Sequence, residues 1–228
     1  MHNDLQRMLT DIKNEVHFTR SYIGRNALSE RVMNAMAEVP RDEFVPDHLK
    51  HQAFDNCPLP IGYHQTISQP YIVALMTDLL ELKPDHKVLE IGTGCGYQTA
   101  VLARLCAEVY TIERIAELSH MAIDHFIKLQ YRNIVTQIGN GYQGWPEHAP
   151  YDGIVVTASA SHIPEPLIEQ LKPGGNLVIP VGLPQMHQEL LLLKKDLHEE
   201  LTVDSILPVA FVPLIDDKIR HPAHHTLQ

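Results

Sequence analysis

The chain has 228 residues, 44% hydrophobic and 20% charged, which suits one globular domain with a sizeable core and excludes a disordered or fibrous chain. Eighteen basic against 28 acidic residues leave a formal charge of −10, so the basic footprint of a nucleic-acid binder is absent. No apolar run nears the roughly 18 residues that span a bilayer, and Met1-His2-Asn3-Asp4-Leu5-Gln6-Arg7 is not a signal peptide. The expected setting is cytoplasmic, with no nucleic-acid or membrane partner and a monomer as the default. Three cysteines, Cys57, Cys95 and Cys106, share no zinc-like spacing, which argues against a disulfide framework or a metal site.

Leu5, Met8, Leu9, Ile12 and Val16 recur at helical spacing, and Val32, Met33 and Met36 follow Ser29, a candidate N-cap. Residues 1–57 therefore read as a mostly helical part. The stretch Pro58 to Ser68, broken by Pro58, Pro60 and Gly62, reads as a loop. Ser68 can then cap, and Pro70 open, a helix whose Ile72, Met76, Leu79 and Leu80 share one face. From Lys87, short apolar runs alternate with helical patterns: Lys87 to Ile91, Glu108 to Ile112, Ile134 to Ile138, Gly153 to Thr157 and Gly175 to Val181. That alternation predicts an α/β fold with a mostly parallel sheet and helices on both faces. Gln188 to Lys194 and Leu201 to Val212 are expected to add an antiparallel pair, with Leu190 to Leu193 as core strand. The whole reads as one domain: the helical part, a loop over 58–70, a Rossmann-like core over 71–215, and a solvated tail over 216–228 that holds His221, His224 and His225.

The first strand, Lys87 to Ile91, runs into Gly92-Thr93-Gly94-Cys95-Gly96, at the strand end where open α/β sheets bind ligands. A dinucleotide fingerprint reads G-x-G-x-x-G. Here the spacing is G-x-G-x-G, with Glu90 two residues ahead of it. A pyrophosphate favours amide donors and a helix N-terminus, whereas S-adenosylmethionine presents an ammonium and a sulfonium that a carboxylate favours. The next strand ends in Glu113, 23 residues after Glu90, where an acid can accept from both ribose hydroxyls. A ribose-binding acid does not by itself separate this cofactor from a nicotinamide. A plain strand-turn-helix with packing glycines also stays open.

Glu90-Ile91-Gly92-Thr93-Gly94-Cys95-Gly96-Tyr97-Gln98-Thr99, preceded by Gln65-Thr66-Ile67-Ser68-Gln69-Pro70-Tyr71, resembles the protein-L-isoaspartate O-methyltransferase family of class I methyltransferases. Val39 to Val45, Gly141 to Trp145, Leu171 to Gly175 and Phe211 to Leu214 extend the resemblance from about residue 25 to residue 215. It implies methyl transfer from S-adenosylmethionine to the free carboxyl of L-isoaspartyl or D-aspartyl residues in damaged proteins and peptides. The ester then closes to a succinimide and partly reopens as aspartate.

The resemblance also implies Ser68 as the active-site residue. Its cofactor set is Gln65, Thr66, Ile67, Ser68, Glu90, Gly92, Thr93, Gly94, Gly96, Glu113, Arg114, Asn140, Gly141 and Thr157; its acceptor set is Thr66, Ser68, Ala210, Phe211 and Val212. A carboxylate with a pKa near 4 is already a nucleophile at neutral pH, so Ser68 is expected to orient it, helped by free amides at the helix start. Four places depart from the family pattern: His64 for a glycine, Asn140 for an aspartate at the adenine, Ala210 for an arginine, and Ser159-Ala160-Ser161 for an Ala-Pro-rich segment. Asn140 retains an acceptor oxygen for the adenine amino group, while Ala210 bears on acceptor preference. Two other readings stand beside the repair enzyme: a carboxyl O-methyltransferase with a dedicated acceptor, and a non-catalytic adenosylmethionine-binding protein.

His64 is expected to be a solvated loop residue, Cys95 a packing residue, and Trp145 part of the core.

Overall fold

The computed structural model describes residues 2–183 and 186–216, so His221, His224 and His225 lie outside the described residues. Among the described residues, no helix is long and apolar enough to cross a membrane. The N-terminal part folds as α1 (His2–Ile23) and α2 (Glu30–Glu38), followed by two short 3-10 turns, Arg41–Phe44 and Asp47–Gln52. Ser29 caps α2 as expected, its Oγ accepting from Val32 N at 3.3 Å.

The next segment corrects the loop expected over Pro58 to Ser68. It contains an antiparallel hairpin, β1 (Leu59–Gly62) and β2 (Gln65–Ile67), closed by Tyr63 and His64, both at positive φ. A two-stranded ribbon has only edges, so Pro60 can sit in it without leaving a ladder bond unmade. The following helix, α3 (Pro70–Leu79), starts at Pro70 as expected, but its N-cap is Gln69, not Ser68. Asn56 Oδ1 accepts from Tyr71 N at 3.0 Å in place of a serine cap. Pro70 has no N–H, so the start of α3 offers an anion fewer free amides than its position suggested.

Seven strands form the main sheet: β3 (Lys87–Ile91), β4 (Glu108–Glu113), β5 (Ile134–Ile138), β6 (Tyr151–Val156), β7 (Leu171–Gly182), β8 (Gln188–Lys195) and β9 (Leu201–Val209). Their order is β5-β4-β3-β6-β7-β8-β9; the first five are parallel, and β8 is antiparallel to both neighbours. The last strand stops at Val209, which leaves residues 210–212 free to line a groove. Helices α4 (Tyr97–Ala103), α5 (Ala116–Lys128) and α6 (Glu165–Gln170) complete the fold.

Alternation along the strands sorts the core into two layers. Val88, Val109, Val155 and Val178 pack with Met8, Met36, Leu75, Ala100 and Leu118 from α1 to α5. Leu89, Ile154, Leu177 and Leu193 face the other way, onto Leu167 of α6. Strand β3 pairs with β4 on one side and β6 on the other, so the topological switch point lies at its carboxyl end.

Candidate active site

The glycine turn is held between the ends of two strands. Gly92 N donates to Ile112 O at 2.8 Å, and Thr157 N, just past β6, donates to Ile91 O at 2.9 Å. Gly92 has φ +96°, and a Cβ there would lie 2.4 Å from Thr157 Oγ1, which itself donates to Gly92 O at 2.7 Å. Gly96, at φ +92°, leads into α4, and a Cβ there would meet the Phe126 ring at 2.6 Å. Backbone conformation and close approach both demand glycine at these two positions. Gly92→Ala is therefore expected to lower stability by about 2–4 kcal/mol and to weaken cofactor binding, as read by thermal melts and calorimetry; an unchanged melting temperature would show that the turn relaxes.

The two acids occupy different surroundings. Glu113 closes β4 and lines the cavity above the turn; its Oε2 accepts from Gly94 N at 2.8 Å and its Oε1 from Ile115 N at 2.9 Å. Those bonds fix the carboxylate at the strand end. Glu90 lies beneath the turn, fully buried. Its Oε2 accepts from Thr111 Oγ1 at 2.7 Å and from Thr99 Oγ1, while Oε1 has no hydrogen-bond partner among the described residues. Burial pushes the Glu90 carboxyl up to about 8, against the two hydroxyl donors.

The cavity above the turn is lined by much of the expected set: Gln65, Thr66, Ile67, Ser68, Gly92, Thr93, Gly94, Glu113, Arg114, Gly141 and Thr157. Glu90, Gly96 and Asn140 are not in its wall. Asn140 instead caps the short turn Gly141–Gln143, its Oδ1 accepting from Tyr142 N at 3.0 Å, and its Nδ2 donates to Asp216 Oδ1 at 3.1 Å.

A second, open groove of about 490 Å³ adjoins this cavity. Thr66, Ser68, Thr157 and Val212 line both, so the two spaces meet at Ser68. Ala210 and Phe211 line the groove only. The segment carrying them is pinned by Gln188, which accepts from Phe211 N at 2.7 Å and donates to Phe211 O at 3.2 Å. Ser159, one of the departures from the family pattern, holds the same segment through its backbone: its N donates to Val212 O and its O accepts from Leu214 N, both at 2.8 Å.

Sequence reasoning missed the opposite wall of the groove, where α1 contributes Glu15 and Thr19. Thr19 Oγ1 and Tyr71 Oη lie 2.5 Å apart and tie α1 to α3. Polar residues on a helix face carried no signal that the helix would border a ligand site. His64 is exposed at the hairpin tip, as expected. Cys95 is buried and burial pushes its thiol up to about 11, so it packs and is not a thiolate at neutral pH. Trp145 is partly buried and packs on the second core layer, edge-on to Tyr110 and outside the cavity wall.

A glycine turn at the switch point of a mostly parallel sheet that ends in an antiparallel pair, an acid at the end of the adjacent strand and a cavity above them are the features of a class I methyltransferase, whose cofactor is S-adenosylmethionine. The residues present fit that cofactor: the turn presents backbone without a Cβ at Gly92 and Gly94, and the Glu113 carboxylate lines the cavity at the adjacent strand end as an acceptor. Residues 15–219 match the model of the protein-L-isoaspartate(D-aspartate) O-methyltransferase family, and the chain belongs to that family.

Among curated relatives, the chain is 56% identical over 207 residues to protein-L-isoaspartate O-methyltransferase 2 of Polaromonas sp. (strain JS666), covering 91% of this chain and 98% of that one. It is 59% identical over 192 residues to protein-L-isoaspartate O-methyltransferase 1 of Cupriavidus necator, covering 84% of this chain and 74% of that one. A solved Plasmodium falciparum protein described as a protein-L-isoaspartate O-methyltransferase, in complex with S-adenosyl-L-homocysteine, matches with TM-score 0.72 and 26% identity over 90% of this chain and 97% of its own.

Proposed function

We propose that the chain methylates the free α-carboxyl of L-isoaspartyl residues, and the side-chain carboxyl of D-aspartyl residues, in damaged proteins and peptides. The observation that carries this reading is the meeting of the cofactor cavity and the open groove at Thr66 and Ser68. When bound, S-adenosylmethionine supplies a methyl group on a sulfonium. Glu113 would accept from its ribose hydroxyls and Gly141 would line the adenine side, while Glu90, buried beneath the turn, would answer the cofactor's positive charge only by giving up its proton.

The acceptor carboxylate needs no base, because it is ionised at neutral pH. Ser68 Oγ, which has no hydrogen-bond partner among the described residues, donates to it and sets its angle of approach. Thr66 offers a second hydroxyl from the same strand end. Val212 lines the meeting point, and Ile67 and Leu214 line the cofactor cavity beside it, apolar surfaces that keep water away. An anion and a sulfonium lose charge together in the transition state, so a dry site favours the step once both are bound. Ala210, Phe211 and Val212 offer one wall of the groove to the peptide, held in place by the Gln188 bonds to Phe211.

Transfer of labelled methyl from S-adenosylmethionine to an isoaspartyl peptide, beside the same peptide with ordinary L-aspartate, tests the reading. Selective methylation of the isoaspartyl peptide is expected. Tight cofactor binding with transfer to neither peptide would move the function to a dedicated acceptor or to a binding role.

A further inference from the structure

Arg41 opens the 3-10 turn Arg41–Phe44 and is the largest completely buried side chain in the described structure. Its Nε donates to Ala53 O at 2.8 Å, and its Nη2 to Ser68 O at 2.9 Å and to Cys57 O at 3.5 Å. The guanidinium lies 4.7 Å from the centre of the Tyr97 ring, and Tyr97 is both the first residue of α4 and part of the cofactor cavity wall. Its Nη1 has no hydrogen-bond partner, and no carboxylate among the described residues is within ion-pair distance of it.

A guanidinium stays protonated inside a protein, and a buried charge without a counter-ion is costly. Backbone carbonyls and one aromatic face offset only part of that cost. The remaining positive charge sits directly behind Ser68, where the groove meets the cofactor cavity. A carboxylate docked against Ser68 is the group that would balance it.

We propose that Arg41 is a positioning residue for methyl transfer: it fixes Ser68 through the Ser68 carbonyl and supplies the positive charge by which the acceptor pocket prefers a carboxylate over a neutral group. The proposal rests on the reading of Ser68 as the acceptor contact. It also bears on turnover, because the acceptor enters as an anion and leaves as a neutral methyl ester. A charge that favours the first over the second helps the product leave.

The test compares two peptides of one sequence, one with the free isoaspartyl α-carboxyl and one with that carboxyl amidated. Their binding to the full chain loaded with S-adenosylhomocysteine is measured by calorimetry for wild type, Arg41→Met and Arg41→Lys. Wild type is expected to prefer the carboxylate peptide. Arg41→Met is expected to weaken the carboxylate peptide by about tenfold, the size of one charge acting through partly polar surroundings, and to change the amide peptide less than twofold.

Equal weakening of both peptides would show a merely structural arginine and overturn the proposal, as would unchanged binding of both. If Arg41→Met does not fold, Arg41→Lys decides. The ammonium keeps the charge but cannot span the Ala53 and Ser68 carbonyls, so carboxylate preference is expected to persist while kcat falls; lost preference or unchanged kcat would overturn the proposal. A wild type that binds both peptides equally would instead refute Ser68 as the acceptor contact, and the Arg41 proposal with it.

Discussion

Replacing Ser68 by alanine is expected to cut methyl transfer to an isoaspartyl peptide by about a hundredfold, the cost of losing one well-placed donor at a reacting oxygen, while S-adenosylhomocysteine affinity changes less than about twofold. The asymmetry follows from where Ser68 stands. It lines both the cofactor cavity and the outer groove, and its hydroxyl has no hydrogen-bond partner among the described residues, so the side chain is free for an acceptor. Its backbone is fixed independently, through the carbonyl that accepts from Arg41, so the substitution removes a hydroxyl without loosening the loop. The fold has little to lose, because Ser68 does not cap α3. Steady-state rates with both substrates varied, beside calorimetric titration of S-adenosylhomocysteine, check the prediction. Unchanged turnover would remove Ser68 from the reaction and shift the orienting role to Thr66.

Stability of the ligand-free protein is expected to decline between pH 4.5 and pH 8 through Glu90. Burial raises this carboxyl from its ordinary value of 4.5 to about 8. Because the folded-state pKa lies above the unfolded one, the folded chain holds a proton that the unfolded chain releases. The stabilising contribution is complete below pH 4.5 and is lost as pH rises through 8. The size is on the order of 3–5 kcal/mol at full ionisation.

Glu90→Gln carries no titrating group and is expected to flatten this part of the profile, with a higher melting temperature than wild type at pH 8.5. The cationic cofactor acts in the opposite sense, since it favours the ionised acid. The melting-temperature increase produced by S-adenosylmethionine is therefore expected to grow from pH 6 to pH 8.5 in wild type and to stay constant in the variant. Scanning calorimetry from pH 4.5 to pH 8.5, with and without cofactor, reads both effects. A flat wild-type profile would mean that the carboxylate is charged and adequately solvated in the free protein.

The parallel core was legible because its signals are local. Runs such as Val88-Leu89 and Ile154-Val155-Val156 are apolar on both faces, as strands covered from both sides must be. Glycines at 92, 94 and 96 announced a turn that needs positive φ, and all three have it. Glu113 was legible for a related reason: the last residue of a parallel strand sits at the ligand edge whatever surrounds it. The hairpin at 59–67 was not legible. Its strands are four and three residues long, and the turn puts Tyr63 and His64, neither a glycine, in the left-handed region.

Periodicity, glycine chemistry and strand ends act over a few residues, so the fold class, the glycine turn and much of the cavity lining could be read from the chain alone. Packing set how those residues divide the work. It set Glu90 beneath the turn and out of the cavity wall, gave the Tyr71 amide at the start of α3 to Asn56, and put Glu15 and Thr19 of α1 on the groove that Ala210 and Phe211 also line. It also brought Arg41, 27 residues earlier in the chain, to the carbonyl of Ser68. Burial of a charge and the wall of a groove are properties of packed neighbours distant in sequence, and no local pattern in the chain encodes them.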